Sequence, residues 1–168
     1  MNLHTKISFL LITISFLFIY SCQKKQQYPL IPNIEFQSYS LLADARGVDT
    51  TLILIFSFTD DGDIGLGPGD TVSPYVGQYK YDFFAAYYEV QYGKLTLVKT
   101  PTNFNQRLPL VTINGSNKNI KGTIQVNLPI NDYNTSKFDT IAFQVYIVDR
   151  ALNKSNVVMS PDIIVVRK

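Results

Sequence analysis

The chain has no tryptophan, a single cysteine (Cys22) and a single histidine (His4). Charged residues make up only 17%, and no extended run of Lys or Arg occurs. Without such a run the electrostatic footprint of a nucleic-acid binder is missing. One thiol cannot close an intramolecular disulfide, so packing must hold the fold. Ser-His-Asp and Cys-His nucleophilic systems, and metal sites built from several His or Cys ligands, also lack their parts. Carboxylate pairs and Ser-Lys arrangements are the remaining chemistry, and no motif points to either. Long apolar runs are absent as well. The longest, from Ile7 to Tyr20, would span about 21 Å as a helix, short of the roughly 30 Å hydrocarbon core of a bilayer.

Lys6 precedes that run, and Ile19-Tyr20-Ser21-Cys22 ends it. A basic start, an apolar stretch and a small residue before the cut are the marks of a secretory signal. Ser21 followed directly by Cys22 resembles the lipobox of bacterial lipoproteins, with Tyr20 bulkier than is usual at its place. The resemblance implies that residues 1–21 are removed and that Cys22 is acylated and becomes the first residue. His4 then leaves with the signal, and the thiol is occupied. Residues 22–32 are polar and then proline-punctuated, and read as a short tether. Residues 33–168 form one domain of ordinary size, in which basic and acidic residues nearly balance.

Beyond the tether the chain reads as strands, because β-branched and aromatic residues alternate and no 3.6-residue apolar period is sustained. Segments 33–42, 51–59, 82–92, 94–100, 107–113, 119–130, 138–148 and 156–167 are the expected strands. Gly93 turns a hairpin, Asn114-Gly115 marks another turn, and Pro161 interrupts the last segment. Ile53 and Ile55 lie opposite Leu52, Leu54, Phe56 and Phe58, so the second strand reads as covered on both faces. About seven to eight short strands at this spacing predict an all-β antiparallel sandwich.

Two stretches carry a family resemblance. Val145-Tyr146-Ile147-Val148-Asp149-Arg150-Ala151-Leu152-Asn153-Lys154-Ser155-Asn156 is similar to the last hairpin of bacterial immunoglobulin-like domains. Ala151, Asn153 and Ser155 match its turn, and Leu152 stands where glycine is commoner. Phe58-Thr59-Asp60-Asp61-Gly62-Asp63-Ile64-Gly65-Leu66 resembles a phrase of Bacteroidetes-type envelope lipoproteins. Together they cover about 20 residues and imply an immunoglobulin-like β-sandwich and an envelope location, but no activity.

Three groups of residues are candidate sites. Asp60, Asp61, Asp63 and Asp70 crowd carboxylates into one Gly-rich loop, which would suit calcium as the one implied cofactor, although the spacing fails the EF-hand pattern. Asp and Gly serve turn geometry equally well. Tyr75, Tyr79, Tyr81 and Tyr88 belong to a tyrosine-rich stretch whose rings and hydroxyls would suit a sugar or a protein, as they would a half-buried sheet face. Asp-Thr pairs at Thr50, Thr71 and Thr140 resemble the O-glycosylation signal of exported Bacteroidetes-type proteins. Aspartate before threonine is also a natural way to start a strand. Asn-x-Ser sequons at Asn114, Asn134 and Asn153 mean little in a bacterial envelope.

The expected protein is therefore a lipid-anchored module of the cell outer membrane, on its periplasmic or surface face. Its role is non-catalytic binding or structure, and it is a monomer held to the membrane through its lipid. Lys24 and Lys25 tilt the choice to the periplasmic face, since surface-exported relatives often carry acids after the cysteine. Envelope proteins or glycans are the partners in view, and nucleic acid is not. The alternatives are a glycan-binding accessory lipoprotein of a nutrient-uptake system and, more remotely, a carboxylate-based hydrolase.

Overall fold

The computed structural model describes residues 27–112, 119–130 and 136–167. Cys22, the Asn114-Gly115 turn and the sequon at Asn134 lie outside them. Two antiparallel sheets pack face to face as an all-β sandwich. One sheet holds β1 (Asn33–Ala43), β2 (Asp49–Asp60) and β5 (Ile120–Pro129), in the order β1-β2-β5. The other runs β4-β3-β6-β7, with β3 (Phe83–Gln91), β4 (Lys94–Leu97), β6 (Thr140–Ile147) and β7 (Val158–Met159), and β8 (Ile163–Ile164) pairs with β6.

Alternation decides which side chains enter the core. Leu52, Leu54, Phe56 and Phe58 of β2 meet Ile124, Val126 and Leu128 of β5 on the inner face, and all are buried. Phe83 and Tyr87 of β3 and Ile141, Phe143, Val145 and Ile147 of β6 close the core from the other sheet. Phe56 reaches Phe83 across the layer at 6.3 Å between ring centroids, and Phe143 receives Tyr87 and Phe104 edge-on at 5.4 and 5.0 Å. Truncating such a ring costs roughly 3–5 kcal/mol. Ile53 and Ile55 are only half-buried, shielded by their neighbours on a central strand.

In β1 the apolar positions break strict alternation, and a register shift between Phe36 and Ser38 accounts for it. One extra residue, Gln37, restores the inward facing, so that Ile34 and Phe36 before it and Leu41 after it all meet β2 on the core side. The β3–β4 hairpin turns on Tyr92 and Gly93, both at positive φ (53° and 78°), as a type I′ turn requires.

The 107–113 strand expected from the sequence is not one. Its described part makes a single bridge, Ile64 to Val111. Pro109 removes a donor, and the Leu108 N–H is taken by the Asp82 carboxylate at 2.7 Å. Residues 156–167 likewise give two two-residue strands, β7 and β8. Serine hydroxyls serve β6 where its neighbour is interrupted: Ser155 Oγ accepts from the Ile147 N–H and Ser160 Oγ from the Phe143 N–H, each at 2.9 Å. Asn156 then receives the Ile34 N–H and donates to the Ile34 carbonyl, both at 2.8 Å, tying the last hairpin to β1.

Candidate functional site

The loops β2–β3 and β6–β7 meet at one end of the sandwich, and the acidic residues lie there. β2 ends in Asp60, which is fully buried with neither carboxylate oxygen hydrogen-bonded. Burial and then the neighbouring Asp149 raise it to about 6. Asp149 is buried too, but its two oxygens accept the backbone N–H and side-chain amide of Asn153, at 2.7 and 2.8 Å. Asp82 opens β3; one of its oxygens holds the Leu108 N–H while the other has no partner, and burial raises it to about 6.

Asp70 has a different fate. Its carboxylate receives Arg150 at 2.5 and 3.2 Å and the Gly67 N–H at 2.6 Å. The Arg150 hydrogen bond holds it below the usual carboxylate range. Arg150 also lies over the Tyr75 ring at 4.9 Å, donates its backbone N–H to the Asp63 carbonyl and accepts the Tyr75 hydroxyl on its own carbonyl. Arg107 closes the same loop by donating to the Gly67 and Asp70 carbonyls. Gly65 sits at φ +89° against Pro109, whose carbonyl oxygen would stand 2.0 Å from a Cβ. Only glycine fits there.

The four aspartates singled out in the sequence are thus divided. Asp70 is paired with Arg150, Asp60 faces Asp149, and Asp61 and Asp63 are half-buried between them in sequence. Among the described residues no three His, Cys, Asp or Glu side chains gather in a metal-holding group.

The tyrosines are divided as well. Tyr75 is engaged by Arg150, and Lys80 lies over the Tyr81 ring at 5.0 Å. Tyr88 faces outward on β3 beside Leu97. Tyr79 lines a shallow pocket of about 250 Å³ with Phe84, Tyr146, Leu152 and Lys154. Phe84 and Tyr146 are cross-strand partners with their rings stacked at 4.7 Å and 7°, and the Lys154 ammonium lies 3.9 Å from the Tyr146 centroid. This column was not read from the sequence, because it depends on the register of β3 against β6. With Phe84 on one face and Lys154 on the other, Tyr146 has no open face for a sugar ring. A larger groove of about 430 Å³ runs beside β3 and is lined by Tyr87, Leu97, Lys99 and Asn103 among others.

Of the three threonines, Thr50 donates its hydroxyl to the Leu42 carbonyl and Thr140 to the Asp139 carboxylate. Thr71 lies in an exposed stretch of the β2–β3 loop. No helix among the described residues is long and apolar enough to cross a membrane.

Comparison with protein-family models, with curated proteins and with solved structures returned no match.

Proposed function

We propose that the chain is a lipid-anchored envelope protein whose immunoglobulin-like sandwich acts as a non-catalytic binding or structural module. The observation that carries this reading is the short apolar run that ends at Ser21-Cys22. The path of the chain supports it. Tyr28 donates its N–H to Asn119, and the Leu30 carbonyl accepts from Asn153, so the last part of the tether is fastened to the end that carries the β6–β7 turn. The order β1-β2-β5 over β4-β3-β6-β7 supports the immunoglobulin-like assignment. Tyr87 on the third strand packs against Phe143, where such domains place a buried Trp beside a disulfide.

A binding or structural role is favoured over hydrolysis because the carboxylates at the loop end are committed to the fold. Arg150 takes Asp70, Asn153 takes Asp149, and the Leu108 N–H takes one oxygen of Asp82, while Asp60, which has no hydrogen-bond partner, is fully buried away from solvent. Membrane fractionation of cells expressing the full chain tests the reading. Wild type should sediment with the envelope, and Cys22→Ala should be released or retained only as the longer precursor. Wild type found wholly in the soluble fraction would contradict it.

A further inference from the structure

We propose that the loop end of the sandwich is its membrane-facing surface and lies on the lipid headgroups beside the anchor, an inference that rests on the lipid-anchored reading above. The reach of the chain selects that end. Cys22 and Tyr28 are six residues apart, which no conformation stretches beyond about 22 Å. Tyr28 is fastened to Asn119 and Leu30 to Asn153, both at the loop end. β2 has 12 residues and is about 40 Å long. The strands therefore hold the opposite end, at Tyr92 and Gly93, nearly twice as far from that attachment as the lipid can reach.

What this end turns outward suits such a surface. Leu30 is 70% exposed and Val72 is 68% exposed, and Ile31, Val76, Leu110 and Val111 are exposed as well. A chain of contacts connects their segments. Asn153 holds Leu30 from the turn that carries Arg150, Arg150 holds Asp70 two residues before Val72, and Asp70 holds Gly67. The Leu110 side chain lies against Gly67, and Val111 bridges to Ile64. Charge is sorted in the same sense. In the described loops of this end the exposed ionic side chains, Lys80, Arg107 and Lys154, are all basic. The acids there are withdrawn, Asp61, Asp63 and Asp70 half-buried and Asp82 and Asp149 buried. At the opposite end Arg46 and Lys137 stand exposed together with Asp139, so both signs face solvent. Aliphatic tips accompanied by basic groups match the layers of an anionic membrane surface. The tips enter the boundary between headgroups and acyl chains, while the lysine and arginine stems leave their charge at the phosphates. The contact needs little area of its own, because the anchor already holds the domain at the surface and makes the encounter intramolecular.

Because the chain has no tryptophan, a single introduced one reports its own depth. The test is Val72→Trp in the full chain, extracted from bacterial envelopes and reconstituted in vesicles of phosphatidylethanolamine and phosphatidylglycerol. The vesicles are made with and without brominated acyl chains, which quench tryptophan only at close range. Leu110→Trp, on the segment beyond Gly67, serves if the first variant fails to accumulate, and Tyr92→Trp marks the opposite end. The proposal expects brominated lipid to lower the emission of the loop-end tryptophan about twofold and to leave Tyr92→Trp unchanged within about a tenth. Flotation of the same vesicles separates this inference from the anchor. Protein that floats without quenching at the loop end, or with equal quenching at both ends, overturns the inference and leaves the anchor standing, the first result pointing to a surface kept for a soluble partner. Protein that does not float overturns the anchor and the inference together.

Discussion

Arg150 sets its guanidinium on the Asp70 carboxylate, at 2.5 and 3.2 Å, across 80 residues of sequence. The pair locks the β2–β3 loop to the turn after β6, and it supplies to Asp70 the positive charge that a bound cation would otherwise bring. Arg150→Ala should therefore lower the melting temperature by several degrees. Arg150→Lys should recover only part of the loss, because an ammonium cannot reproduce the two-pronged contact or the stacking on Tyr75. Millimolar calcium at matched ionic strength should leave wild-type melting where chelator leaves it. A calcium-specific rise that Asp61→Asn/Asp63→Asn abolishes would contradict this account of the loop.

Asp60 and Asp82 give stability an inverted pH dependence between about 4 and 6. Both are raised from 3.8 to about 6 by burial in the folded chain. The folded state therefore binds more protons than the unfolded one in that window, and stability falls as pH rises through it. Asp44 and Asp70 are lowered by their arginine partners and act in the opposite sense, losing their contribution only as pH falls below 3.8. Urea unfolding at pH 5 and 7.5 should show the higher midpoint at pH 5. Asp60→Asn should shrink the difference by roughly 1–1.5 kcal/mol, because only about one pH unit, at about 1.4 kcal/mol, separates pH 5 from the raised value of about 6. An unchanged difference in that variant would mean that Asp60 does not titrate with folding.

Leu152 adopts φ 69°, a left-handed conformation that costs a branched side chain about 1–2 kcal/mol. Leu152→Gly should relieve the strain. Glycine's greater freedom in the unfolded chain offsets up to about 1 kcal/mol of the gain. The net result should be a melting temperature unchanged or raised by about 2–4 °C. A fall of more than that would show that the Leu152 side chain, packed beside Tyr79 and Phe84, outweighs its backbone strain.

Leu152 also shows what was legible in the sequence. The resemblance to the immunoglobulin-like hairpin marked it as standing in a glycine's place, and its φ is the one that glycine would adopt. Strand positions and the inward rows of β2, β5 and β6 were readable because alternation is a local property. The bulge at Gln37 was foreshadowed by Ile34, Phe36 and Tyr39, which no unbroken strand places on one face. Residues 107–113 misled because they are rich in apolar residues (Leu108, Leu110, Val111, Ile113), yet Asp82 and the β2–β3 loop take their hydrogen bonds. At the loop end, the crowding of aspartates was visible but their sorting was not. That Asp70 meets Arg150 and Asp60 faces Asp149 depends on residues 80 to 89 positions away. The Phe84–Tyr146 column was hidden for the same reason.

The central claim is that Cys22 carries the lipid that places this sandwich in the envelope. Metabolic labelling with an alkyne fatty acid, followed by capture of the full-length protein, tests it most directly. Wild type should incorporate the probe and migrate as the processed chain, while Cys22→Ala should incorporate none and remain at precursor size or be released. Equal labelling of the two proteins, or no labelling of wild type under conditions that label a known lipoprotein, would contradict it.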